Sequence, residues 1–143
     1  MSWDERVDAV WADANLSDAE RIESIDALAA ERPAGDARAL FERAGARDSA
    51  GREADAEELY RAALATGLPE AERAQAVIQL ASTLRNLGAL DESIALLRAE
   101  CERGGDLADS AAAFLALALI DAGESRQAAL LAIETLAPHL PRY

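Results

Sequence analysis

Apolar residues recur every three to four positions in separate stretches of this chain, and that spacing predicts helices. Trp3, Val7, Val10 and Trp11 form the first such stripe, opened by the capping-box pattern Ser2-x-x-Glu5. A second start, Ser17-x-x-Glu20, precedes Ile22, Ile25, Leu28 and Ala29 on one face. Pro33 and Gly35 stop that helix, and Asp36 is placed to cap the next. Further on, Val77, Leu80, Ala81, Leu84 and Leu87 share a face, and Gly88 ends their helix. Asp91 and Glu92 open another, in which Ile94, Ala95 and Leu97 are expected inward and Ser93 and Leu96 at the contact between the two helices. Phe114, Leu115, Leu117, Leu119 and Ile120 leave almost no polar face on a later helix.

The stretches repeat. Gly51–Leu64, Gly88–Cys101 and Gly123–Leu136 each open with glycine and carry a small residue five positions later: Ala56, Ser93 and Ala128. Four positions beyond stand Tyr60, Leu97 and Ala132, and helix-breaking or capping types close each copy at Pro69, Asp106 and Pro141. The glycines are 37 and 35 residues apart, close to the period of about 34 residues of a repeated helix–turn–helix unit. Glycine takes the left-handed conformation that ends one helix and turns the chain into the next. The small residue lets two helices approach, and the larger one fills the space between neighbouring hairpins.

The stretch LASTLRNLGALDESIALLRAE, with Leu80, Ala81, Leu84, Gly88, Ser93 and Leu97, closely resembles a tetratricopeptide repeat. Gly51, Ala56, Tyr60, Ala63 and Pro69 match the second helix of an earlier copy, whose first helix departs by placing Arg43 and Arg47 where the family has bulky apolar groups. Either that helix is rotated in register or the arginines snorkel from an open end of the stack. A third copy keeps Leu115, Ala116, Leu119, Gly123 and Ala128 but has Ala132 and Thr135 at two usual landmarks. The whole is similar to short bacterial tetratricopeptide-repeat proteins.

The resemblance implies an all-α fold, a right-handed α-α superhelix of about three helical hairpins over residues 36–141, with an N-terminal helical cap over 1–35. The two parts are expected to form one domain, 1–143. It also implies a concave groove lined by the first helix of each hairpin, which receives a peptide or protein segment. The matching positions are Arg38, Phe41 and Gly45; Gln75, Ile78, Ser82, Arg85 and Asn86; and Ser110, Ala113, Leu117 and Asp121. Arg85 and Asn86 carry the polar chemistry that holds a carboxylate or a peptide backbone. The chain has no lysine, so it does not resemble the family's carboxylate-clamp members.

Composition narrows the picture. Apolar residues make up 51% and aromatics 4%, with alanine dominant, which favours helices and disfavours a β-sandwich. Arginine without lysine, beside abundant alanine, points to GC-biased coding and a bacterial source. A net charge of −13 opposes binding to nucleic acid or to an anionic membrane. The longest apolar stretch, Ala111–Ile120, is far short of the roughly 20 residues that span a bilayer. No signal peptide is visible and Cys101 is the sole cysteine, so a cytoplasmic location is expected.

No catalytic, metal or cofactor constellation emerges. His139 is the sole histidine and stands between prolines, and Cys101 has no histidine near it in sequence. Glu57-Glu58 and Asp91-Glu92 are adjacent on helices, where neighbours diverge by about 100° and do not face one site. A non-enzymatic interaction module is therefore expected, with a protein or peptide as partner. The alternative is a self-associating structural or regulatory module, its groove filled by its own terminus or a second copy. Trp3 and Trp11 either fold back to seal the first hairpin or anchor another molecule. Leu117 and Ile120 need cover from the segment Pro138–Tyr143, from a bound peptide, or from a second chain, and a homodimer is expected.

Overall fold

Ser2 and Ser17 each close a capping box, the serine hydroxyl accepting from the backbone N–H of Glu5 or Glu20 while that glutamate reaches back to the serine N–H. Asp36 caps the following helix by accepting from Ala39 N–H at 2.9 Å. The computed structural model describes residues 1–142; Tyr143, expected in the terminal covering segment, lies outside the described residues. Among them are eight α-helices and no strand: α1 Trp3–Ala12, α2 Asp18–Ala29, α3 Ala37–Ser49, α4 Glu53–Thr66, α5 Glu70–Asn86, α6 Leu90–Arg103, α7 Ala108–Asp121 and α8 Ser125–Leu136. A 3₁₀ turn, Ala137–His139, follows α8. The all-α expectation holds.

The three repeat turns are built alike. Gly51, Gly88 and Gly123 have φ of 70°, 84° and 83°, where a side chain would be strained. Just past each glycine, an N–H reaches back five residues to a helix carbonyl: Arg52 to Arg47, Ala89 to Leu84 and Glu124 to Leu119, at 2.8–2.9 Å. This closes the helix end and aims the chain into the next helix. The small residue that follows is buried in every copy, Ala56, Ser93 and Ala128. Ser93 also donates its hydroxyl to the Ala81 carbonyl at 2.6 Å, so a polar group is buried there without loss.

Residue contacts gather into two units, Met1–Ala76 and Val77–Tyr143, with the division inside α5. In the first unit α1 packs on α2, α2 on α3, and α3 with α4 forms the first hairpin. Val7, Ile25 and Leu28 of the N-terminal helices share a core with Ala46 of α3, and Trp3, Val10 and Ile22 pack around it. The cap and the first hairpin thus have a common core. Deeper in α4, Tyr60 is wholly buried with its ring 6.2 Å from that of Phe41.

In the second unit α7 packs between α6 and α8. Its core joins Ile78 and Ala81 of α5, Leu97 of α6, Ala128 of α8 and the inner face of α7 from Ala111 to Leu119. Two residues depart from their expected places: Leu87, past the last full turn of α5, is 44% exposed, and Ala95 lies on the solvent side of α6. Gly88 turns the chain immediately after Leu87, which leaves that side chain at the rim.

Arg43 and Arg47 are explained by neither expected alternative. They stand 37 residues before Leu80 and Leu84, at apolar core positions of the repeat. Here α2 supplies a carboxylate instead. Asp26 takes Arg47 Nη1 at 3.0 Å and Nη2 at 2.8 Å, and Arg43 Nε at 3.0 Å. Arg47 is buried in consequence.

Candidate functional site

The first helix of each hairpin, α3, α5 and α7, carries the expected groove positions, and the two units treat them differently. On α3 the face is already occupied by the chain itself. Arg38 donates through Nε to Glu42 and through Nη1 to Glu72, both at 2.8 Å, and lies 3.9 Å from Asp4. Glu42 is buried, and its second oxygen accepts from Trp11 Nε1 at 2.7 Å. The Trp11 ring then lies over Gly45: a Cβ built there would sit 3.3 Å from Trp11 Cζ2. Phe41 is buried against Tyr60 and presents nothing outward, while Gln75 is exposed.

Both tryptophans bond within the unit, though Trp11 keeps 36% of its surface exposed. Trp3 donates its indole N–H to the Leu28 carbonyl at 2.8 Å, with the Arg32 guanidinium 4.9 Å over its ring. Arg21 stands 5.8 Å from the Trp11 ring. A Gly45→Leu substitution, which installs the residue found at the matching position of α7, is expected to dislodge Trp11. Its fluorescence should shift to the red, and an unchanged emission spectrum would count against the seat described.

On the second unit the matching face is open. Gly45 of α3 corresponds to Ser82 of α5 and Leu117 of α7. Leu117 is 45% exposed and Ile120 51% exposed, with Ala113 one turn before them also exposed. They keep this exposure with the described terminal residues in place. Ser82 and Arg85 are half-buried, Asn86 is exposed, and Ile78 is a core residue that does not reach this face. Arg85 and Asp121, both expected in the groove, are brought together: Arg85 Nε lies 2.9 Å from Asp121 Oδ2. Asp121 balances the guanidinium charge by an ion pair at Nε, which makes no hydrogen bond there, and the pairing leaves the two Nη groups outside it. What remains is an apolar strip on α7 edged by a neutral ion pair and an amide.

Other features carry less. An open hollow of about 590 Å³ between α2 and α3 is lined by Asp26, Arg32, Asp36 and Arg43, but Arg43 is paired with Asp26 and Arg32 with Asp36. Cys101 is half-buried; burial and then the charges of Glu100 and Glu102 push its thiol above the ordinary range, away from nucleophilic thiolate. His139 is exposed and its Nε2 sits 2.7 Å from Asp109 Oδ2 at the start of α7. Among the described residues no cluster of His, Cys, Asp or Glu is arranged to hold a metal. No helix among them is long and apolar enough to cross a membrane.

Sequence reasoning missed the partners that fill α3. Glu72 of α5 and Asp4 of α1 reach Arg38, and Trp11 of α1 reaches its neighbour Glu42, and only the fold brings them together. The one legible signal was Gly45, a glycine inside a helix, which often marks close approach of another group.

No curated protein matches the chain in sequence. Residues 37–143 match the family model described as Tetratrico peptide repeat, a span that takes in α3 to α8 and the three repeat turns. The chain belongs to the tetratricopeptide-repeat family, whose members are generally protein–protein interaction modules.

Proposed function

We propose that this protein is a non-catalytic interaction module whose α7 face, together with Ser82, Arg85 and Asn86 of α5, receives a segment of another protein. The segment is an amphipathic helix or extended peptide with bulky apolar anchors. The observation that carries this reading is the use the chain makes of the matching face on α3. There a helix, α1, sets Trp11 on Gly45 and ties its indole N–H to Glu42. On α7 the same positions are exposed and apolar. Leu117 and Ile120 supply the desolvation that drives association, at roughly 1.5–3 kcal/mol for each side chain taken from full exposure to full burial. Arg85, Asp121 and Asn86 at the edge supply orientation and selectivity more than affinity.

The variant Leu117→Glu is expected to weaken capture of the partner by at least about tenfold. Arg85→Ala with Asn86→Ala should weaken it less, because Arg85 is already engaged by Asp121. Quantitative affinity capture from host extract, wild type against each variant, makes the comparison. Equal recovery with Leu117→Glu would refute the α7 face as the site. The terminal turn reaches the start of this strip, where His139 meets Asp109, while Leu117 and Ile120 keep 45% and 51% of their surface exposed with residues up to 142 in place.

A further inference from the structure

We propose that the outer face of α8, centred on Leu130 and Ile133, is a self-association surface that receives the same face of a second copy of this chain. Leu130, Ile133, Leu136 and Leu140 are 52%, 64%, 55% and 51% exposed, and they lie along one side of α8 and the turn after it. No other helix of the described residues exposes as many large apolar side chains.

The repeat itself separates two causes of this exposure. Counting from the turn glycine, Leu136 occupies the position of Leu64 and Cys101, which are half-buried, so an apolar residue there is ordinary repeat chemistry. Leu130 and Ile133 are different. Their counterparts are Glu58 and Arg61 in α4, and Ala95 and Arg98 in α6, all exposed. Both α4 and α6 are followed in sequence by a further hairpin, and neither carries a large apolar group at those two positions. Stacking of another hairpin therefore does not account for Leu130 and Ile133.

Charge points to a second copy as the occupant. The chain carries −13, so two copies that meet on most surfaces oppose carboxylates. α8 holds only two charged residues, Arg126 and Glu134, one of each sign. It has no bias that would select an acidic or a basic partner. An antiparallel pairing centred near Leu130 and Ile133 stacks the apolar groups of one copy on those of the other. The same pairing carries Arg126 of each copy towards Glu134 of the other, and sets the helix dipoles opposed.

The test is sedimentation velocity over a concentration series with the 143-residue chain and its Ile133→Arg variant. Arginine is the residue at this position in α4 and α6, so the fold should tolerate it, which circular dichroism checks. Wild type is expected to pass from monomer to dimer with concentration, and Ile133→Arg to raise the dimer dissociation constant by at least about tenfold. If Ile133→Arg does not fold, Ile133→Gln serves with the same expectation. A wild type that stays monomeric up to about 1 mM, or a dimer indifferent to the substitution, overturns the proposal. A dimer dissolved by Leu117→Glu but not by Ile133→Arg also overturns it, by placing the pairing on α7. Partner capture is read separately, so failure here leaves the α7 proposal standing.

Discussion

Tyr60→Ala is expected to cost the N-terminal unit about 4 kcal/mol of stability, within the range for truncating a buried aromatic ring. Tyr60 has no solvent exposure, packs beside Phe41, and donates its hydroxyl to Asp48 at 3.2 Å. Burial, and after it the charge of Asp48, pushes the phenol above its ordinary range, which favours the neutral donor. Removing the ring opens a cavity between α3 and α4, where small residues such as Ala44, Ala56 and Ala63 are already fully buried and cannot expand to fill it. Tyr60→Phe separates the two contributions: it keeps the ring and should cost only about 1 kcal/mol for the lost hydrogen bond. Urea unfolding followed by tryptophan fluorescence reads the right unit, because Trp3 and Trp11 both belong to it. A loss under about 1.5 kcal/mol for Tyr60→Ala would mean that the ring is not the wedge of that hairpin.

The second large effect is at Asp26. Asp26→Ala strands Arg47, whose side chain is only 11% exposed, with its bidentate partner gone. A buried charge left without a partner costs about 3–5 kcal/mol; the 36% exposure of Asp26 lowers the expectation to about 2 kcal/mol. Burial pushes the Asp26 carboxyl up, but hydrogen bonds and charge from Arg47 and Arg43 outweigh it and hold the group below the usual carboxylate range. Because the folded value is the lower one, this contribution is complete above the unfolded value of about 3.9 and is lost as pH falls through the folded value. The stability difference between wild type and Asp26→Asn should therefore be flat above about pH 5 and shrink below it. A difference that instead grew on acidification would rule out this ion pair as its source. Restoring the repeat's own pattern offers a further check: Asp26→Ala with Arg43→Leu and Arg47→Leu should regain most of the loss, since apolar replacement of a buried ionic cluster is often neutral or stabilising.

The regular part of the molecule was legible because its signals are local. A capping box spans four residues, a turn glycine needs only its own φ, and the stripe Leu80, Ala81, Leu84 declares its buried face by spacing alone. The groove was legible only as positions. Register placed Phe41 and Ile78 beside Gly45 and Leu117, but which of these meets solvent depends on what packs next to each helix. Arg43 and Arg47 show the same limit. Their oddity was visible, but its cause lies 17 and 21 residues away on α2.

The sequence by itself determined the all-α repeat, its period, its turns, its capped starts and its family, all of which follow from backbone propensity and spacing within a few tens of residues. Only the tertiary structure decided that Trp11 lies on Gly45 of α3 and that the single carboxylate of Asp26 pairs with both Arg43 and Arg47. It also decided that Arg85 pairs with Asp121, and that large apolar residues stay about half exposed on α7 and α8. Each of those outcomes turns on which side chains from distant segments come within a few ångströms. Helical periodicity states which way a residue points along its own axis, and packing alone states what it finds there.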